Sequence, residues 1–137
     1  MNEILFLCPH GGAKSVVAAF HFNRLAADRG LPFVAAAAAA EDPYDTVPAP
    51  VAVHLRREGF DVGAFKPHRV TPAEISAAAR VVTIGCDVPG AGSGAAISDR
   101  WDDVPAASED LEGSVAAIRR HVEVLAEALA EDLDGGR

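Results

Sequence analysis

The feature that most constrains the fold is a short apolar segment that runs into a glycine-containing loop and then into a helix. Ile4–Leu7 is apolar throughout, Cys8 follows it, Gly11 and Gly12 lie in the loop, and an amphipathic pattern begins at Ser15. Short, wholly apolar segments are typical of parallel strands that are buried on both faces. This order predicts that Cys8 lies at the carboxyl end of a strand and below the amino end of a helix.

Such a strand–loop–helix junction is an anion site, because backbone N–H groups and the positive end of the helix dipole meet there. The same field stabilises a cysteine thiolate, which is the reactive form of the side chain. We expect Gly11 and Gly12 to adopt positive φ and to let consecutive amides face inward. The alternative for Cys8 is a small apolar residue that ends a strand. The predicted oxyanion-binding residues are Pro9, His10, Gly11, Gly12, Ala13 and Lys14.

The rest of the chain alternates between helical and strand patterns. Helices are predicted over 15–29, 50–58, a short segment capped by Thr71, and 108–133, and strands over 3–7, 31–40, 81–84 and 98–101. The predicted buried faces comprise Val16, Ala19, Phe20 and Ala27 in the first helix, Val51, Val53, His54 and Leu55 in the second, and Val115, Ile118, Val122, Leu125 and Leu129 in the last. Residues 86–94 are predicted to form a loop.

This alternation predicts an α/β fold with a parallel sheet and helices on both faces. The whole chain, 1–137, is expected to form one domain. Ligands of such sheets bind beyond the carboxyl ends of the strands. Cys8, Cys86 and the loop after Trp101 are all predicted to lie at that edge.

Composition limits the classes of partner. The formal net charge of −8 disfavours nucleic-acid binding, and no apolar run reaches the roughly 20 residues that cross a membrane. The start of the chain lacks the positive region of a secretory signal, so a cytoplasmic location is expected. Neither the two cysteines nor the histidines (His21, His54, His68 and His121 among them) show a zinc-binding spacing. We therefore expect no metal and no other cofactor.

The spacing Cys8-x5-Lys14-Ser15 resembles the Cys-x5-Arg-Ser/Thr loop of low-molecular-weight protein tyrosine phosphatases and thioredoxin-coupled arsenate reductases. The resemblance continues in order through the segments 50–61, 70–74, 80–84 and 101–106. It implies a three-layer fold with a four-stranded parallel sheet, and it implies that Cys8 is the nucleophile. Lys14 stands in place of the arginine, so it keeps the positive charge without the bidentate geometry of a guanidinium. Ser15 either bonds to the thiolate or caps the helix, and the two roles are compatible.

The resemblance also bears on proton transfer and redox chemistry. In these families an Asp immediately before a Pro protonates the leaving oxygen, but here Val104 precedes Pro105. Asp103 or Asp102 is either this general acid or a solvated turn residue. The reductases pass oxidation to further cysteines, and Cys86 lies about one residue from the corresponding position. Cys86 is either a redox partner of Cys8 or an inert buried thiol.

Two functional hypotheses follow from the sequence. In the first, the chain is a cysteine-dependent phosphatase or arsenate reductase that acts on a phosphorylated substrate or a small oxyanion, with a thiol reductant as partner in the reductase case. In the second, the chain is a catalytically degenerate module that binds phosphate or sulfate as a sensor or interaction surface. The replacement of arginine by Lys14 and the absence of the Asp-Pro pair favour the second hypothesis.

Overall fold

The computed structural model of the protein describes residues 2–88 and 99–135, in which four strands alternate with helices. The strands are β1 (Glu3–Cys8), β2 (Val34–Ala39), β3 (Arg80–Thr83) and β4 (Asp99–Arg100). The helices are α1 (Lys14–Asp28), α2 (Ala49–Arg57), α3 (Pro72–Ala77) and α4 (Leu111–Gly135). The elements match the predicted order, and their ends differ from the predicted ones by at most three residues at every boundary except the end of α3, for which no residue was predicted.

The strands form one parallel sheet in the order β2-β1-β3-β4. Cys8 lies opposite Ala39 of β2, and Leu7 lies opposite Thr83 of β3, so the carboxyl ends of the three strands meet at one edge. The predicted α/β fold with a four-stranded parallel sheet is confirmed. This topology brings the segments that follow each strand together at the edge where Cys8 lies.

Each face of the sheet buries its own apolar cluster. Ile4, Phe6 and Cys8 of β1 pack with side chains of α1, α2 and α4, whereas Leu5 and Leu7 pack on the other face near α3. The alternation of side chains along a strand separates the two sets. The five residues predicted as the buried stripe of α4 are all buried. Among the described residues, no helix is both long and apolar enough to cross a membrane.

The alanine-rich segment forms β2, as predicted, although alanine favours helices. Its last residues, Ala37–Ala39, are almost fully buried. Small side chains let α1 pack closely over the strand, and Asn23 of α1 secures it. The Asn23 side chain accepts a hydrogen bond of 2.7 Å from the Ala35 N–H and donates one of 3.1 Å to the Ala35 carbonyl.

Two buried-face predictions are wrong, and both errors are steps of one residue around a helix. Ala27 is exposed, and Ala26 is buried in its place. Val53 is 42% exposed, while Ala52 is buried. Adjacent helical residues point about 100° apart, so a one-residue error turns a side chain from the core to solvent.

The short helix α3 begins as predicted. Thr71 Oγ1 accepts a hydrogen bond of 3.2 Å from the Glu74 N–H, and Glu74 Oε1 accepts one of 2.9 Å from the Thr71 N–H. These two bonds form a capping box. Most of the predicted loop 86–94 and the start of the predicted strand 98–101 lie outside the described residues.

Candidate active site

Cys8 ends β1 and lies beneath the first turn of α1. Its side chain is buried, and Sγ accepts a hydrogen bond of 3.4 Å from the Ser15 N–H and lies 3.1 Å from Ser15 Oγ. Ser15 thus bonds to the sulfur, as one of the two predicted roles required. It does not cap the helix, because Ala13 occupies the N-cap position.

The first carbonyl groups of the loop after Cys8 are hydrogen-bonded to the segment that follows β2. The carbonyls of residues 8–10 accept hydrogen bonds of 2.9–3.0 Å from amides in the segment 40–44. Within residues 2–88 and 99–135, no acceptor is bonded to the amides of residues 10–14. Five consecutive amides next to the sulfur are therefore available to an anion.

Two glycines allow this loop to pack tightly. Gly11 has a φ of +63°, and a methyl group there would lie 2.7 Å from the backbone nitrogen of Ala39. At Gly12 a methyl group would lie 2.7 Å from Tyr44 Cδ2. The predicted positive φ is confirmed at Gly11. It is wrong at Gly12, where the absence of a side chain instead leaves space for the Tyr44 ring.

The Lys14 side chain extends toward the end of β3. A methyl group at Gly85, which has a φ of +71°, would lie 2.7 Å from Lys14 Nζ. No carboxylate of the described residues forms an ion pair with Lys14, so its ammonium group is available to a bound anion. Gly85 was missed in the sequence, although a glycine directly after a buried strand is a signal of close approach.

Cys86 follows Gly85 and is a half-buried free thiol. Burial is the main cause that raises its pKa to about 11, and the charge of the neighbouring Cys8 raises it further, while Lys14 lowers it. Cys8, Lys14 and Cys86 are therefore neighbours at one edge of the sheet, as predicted. The raised pKa keeps Cys86 protonated near neutral pH.

The two candidate acids lie in exposed ion pairs. Asp103 Oδ1 is 2.7 Å from His121 Nε2 of α4, and this hydrogen bond holds the pKa of Asp103 below its ordinary value. Asp102 accepts a hydrogen bond of 3.3 Å from Arg100 Nε. Both carboxylates are more than half exposed, and neither lines the cleft beside the loop. Asp102 and Asp103 are thus each paired with a neighbouring basic side chain outside the cleft lining, and the assignment of either as general acid stays a prediction.

A cleft of about 450 Å³ opens beside the loop. Its walls come from three parts of the chain, within 9–14, 44–51 and 106–108, and they are largely apolar. His10 and Lys14 add polar groups. The Tyr44 ring packs against His10 with ring centroids 4.8 Å apart and an interplanar angle of 39°. Tyr44 was not predicted from the sequence, although it is the only tyrosine and follows β2, which ends at the same edge.

Comparison with known proteins places the fold. No protein-family model and no curated protein matches the sequence. Among solved structures, YfkJ from Bacillus subtilis is similar with a TM-score of 0.83 and 19% identity, over 96% of each chain. A low-molecular-weight phosphotyrosine phosphatase from Vibrio cholerae O395 has a TM-score of 0.78 and 13% identity, over 96% of this chain and 99% of its own.

An arsenate reductase has the same architecture. The thioredoxin-dependent enzyme Cg_ArsC1' from Corynebacterium glutamicum has a TM-score of 0.75 and 20% identity. The match covers 96% of this chain and 63% of that one. The fold is therefore the one shared by low-molecular-weight tyrosine phosphatases and arsenate reductases, as the Cys8-x5-Lys14-Ser15 loop led us to expect.

Proposed function

We propose that this chain is a cysteine-dependent phosphatase in which the Cys8 thiolate attacks the phosphorus of a phosphate ester. The observation that supports this proposal most strongly is the set of polar groups around Cys8 Sγ. The sulfur receives the Ser15 N–H at 3.4 Å and Ser15 Oγ at 3.1 Å, next to five amides that are free to bind an anion. A buried cysteine whose only role was to end a strand would not require the Ser15 contacts or the adjacent free amides.

The chemistry proceeds in two displacements. Cys8 Sγ forms a bond to phosphorus while the bond from phosphorus to the leaving oxygen breaks, which gives a cysteinyl phosphate. Water then attacks phosphorus and releases inorganic phosphate and the thiolate. The amides of residues 10–14 and the Lys14 ammonium group stabilise the charge on the equatorial oxygens in both steps. Ser15 stabilises the sulfur as it leaves in the second step.

The cleft favours an organic phosphate over arsenate as the substrate. Its volume of about 450 Å³ exceeds what a bare oxyanion needs, and its walls are largely apolar. An aryl or similar group would lie between the segment 44–51 and the segment 106–108. Tyr44 and Val51 would contact such a group from one side.

Arsenate reduction is the second candidate, and the proximity of Cys86 to Cys8 is the observation that favours it. The arsenate adduct on Cys8 would be resolved by Cys86, and a thiol reductant would then reduce the disulfide. The raised pKa of Cys86 works against this route, because the thiolate is the attacking form. The third candidate is an oxyanion-binding module without turnover, which Lys14 favours.

These candidates are distinguished by comparing the wild-type protein with Cys8→Ser and Cys86→Ser. The measurements are the hydrolysis of para-nitrophenyl phosphate and the thiol-dependent reduction of arsenate. For a phosphatase, Cys8→Ser reduces hydrolysis to background while Cys86→Ser retains it. For a reductase, both substitutions abolish thiol-dependent arsenate reduction. Equal hydrolysis by the wild-type protein and Cys8→Ser contradicts the phosphatase proposal. Thermal stabilisation by phosphate without any turnover identifies the binding module.

A further inference from the structure

We propose that His10 is the proton donor to the leaving group; the inference rests on the phosphatase function proposed above. A leaving oxygen needs a proton as its bond to phosphorus breaks, and a side chain within the cleft must supply it. Among the residues that the structure describes, the titratable side chains that line the cleft are those of His10, Lys14 and Tyr44. An imidazole exchanges its proton near neutral pH, which phenol and alkylammonium groups do not.

The His10 ring is held in a defined orientation. Nδ1 lies 2.9 Å from the carbonyl oxygen of Asp42. A carbonyl only accepts hydrogen bonds, so Nδ1 carries a proton whether the ring is neutral or charged. Proton exchange is therefore confined to Nε2, which has no partner among the described residues. The Tyr44 ring packs against the imidazole at an interplanar angle of 39° and restricts its rotation.

The charges around His10 are few. Lys14 shares the cleft, and Tyr44 contributes a neutral ring. The Asp42 carboxylate, next to the carbonyl that binds Nδ1, pairs with Arg69 at 3.2 Å. Asp103, the other candidate donor, is paired with His121 away from the cleft. Among the described residues, His10 is thus the imidazole that lines the cleft, and one of its ring nitrogens has no partner there.

The proton balance is complete without another reactant. As Cys8 Sγ bonds to phosphorus, the leaving oxygen takes the proton from His10 Nε2 and departs as an alcohol or phenol. The neutral Nε2 then accepts a proton from the water that attacks the cysteinyl phosphate. This second transfer restores the charged imidazole together with the free thiolate.

A series of aryl phosphates tests the assignment, because a proton donor matters most when the leaving group is poor. We expect His10→Asn to lower kcat for phenyl phosphate by about 100-fold, and to leave kcat for 2,4-dinitrophenyl phosphate close to that of the wild-type protein. Asparagine keeps a donor for the Asp42 carbonyl and removes Nε2, so the loop retains its anchor. The variant should also lose the alkaline limb of the pH–rate profile for phenyl phosphate.

Matched variants make the outcome decisive. His68→Asn, at an exposed histidine paired with Glu74, should leave the whole series unchanged. A wild-type leaving-group dependence in His10→Asn overturns the assignment of His10. If His10→Asn keeps the wild-type leaving-group dependence and Asp103→Asn shows a steeper one, Asp103 is the proton donor. Absence of Cys8-dependent turnover in the wild-type protein overturns the phosphatase function and this inference with it.

Discussion

Single residues determine how firmly the loop would hold the oxyanion that we propose it binds, and Lys14 is the residue that differs from the arginine of the loops this one resembles. Its ammonium group lies against the backbone at Gly85 and forms no ion pair with a carboxylate of the described residues. It would supply charge to an anion without the planar, bidentate donor geometry of a guanidinium. The five loop amides consequently carry more of the binding than they would beside a guanidinium.

We predict that Lys14→Arg raises kcat/KM for para-nitrophenyl phosphate about tenfold, because one added hydrogen bond to a charged group contributes roughly 1.5 kcal/mol. Lys14→Gln should lower it, since the amide lacks the charge. Steady-state kinetics of the three proteins provides the test. Equal kcat/KM in all three would show that residue 14 does not contact the substrate.

A second prediction concerns a residue outside the site. Thr83 is fully buried in β3, and its hydroxyl has no hydrogen-bond partner within 2–88 and 99–135. Thr83→Val keeps the shape and removes the unsatisfied group, so we expect the free energy of unfolding to rise by about 1 kcal/mol. Urea denaturation measures the change. A decrease would show that the hydroxyl has a stabilising role in the native protein.

At the scale of elements, α1 and α2 meet through two histidines. His21 Nε2 of α1 lies 3.5 Å from His54 Nε2 of α2, and Phe60 packs edge-on against His21. Burial is the main cause that lowers the pKa of His21 to about 4, and the charges of Arg119 and His54 add to it. The contact between the two helices therefore requires neutral imidazoles.

This contact predicts a dependence of stability on pH. The unfolded chain binds a proton at His21 below about pH 6.5, whereas the folded protein resists protonation until about pH 4. Stability is therefore lost as the pH falls through this window, by up to about 3 kcal/mol. His21→Gln should lose less stability than the wild-type protein between pH 7 and pH 4.5, while His68→Gln should follow the wild type. Parallel curves for all three proteins would contradict the prediction.

The order of elements was predictable because strands and helices carry different periods. The unbroken apolar run Ile4–Leu7 is typical of a buried strand. The spacing of three or four residues between the apolar side chains of α4 is typical of a helix. Ala27 and Val53 were misplaced because neighbouring positions in a helix are both apolar there, and packing chooses between them. Tyr44 and Gly85 were missed because their roles depend on contacts between loops far apart in sequence, which a local pattern does not contain.

The candidate acids illustrate the same limit. The sequence places Asp102 and Asp103 two and one residues before the Val-Pro pair, but their orientation depends on Arg100 and on His121 of α4. Those partners turn both carboxylates to solvent. The role of His10 emerges only from its contact with Asp42, on the segment after β2.

At the scale of the whole molecule, our proposal requires a protein with a net charge of −8 to bind an anion at one edge of its sheet. The parallel topology makes this feasible, because it gathers loop amides, the amino end of α1 and Lys14 at a single point. Local donors outweigh the overall charge once the anion is in place, while the overall charge slows its approach. We therefore expect phosphate affinity to depend on the loop far more than on distant surface charges.

The central claim is that an oxyanion lies over Cys8 Sγ within the amides of residues 10–14. The most direct test is a titration of the ¹⁵N-labelled protein with inorganic phosphate, followed by the amide resonances of each residue. We expect the largest saturable chemical-shift changes at the amides of residues 10–15. We also expect Gly11→Ala, which strains the loop, to abolish these changes. Saturable shifts confined to other residues, or no saturable shift within the loop, would contradict the central claim.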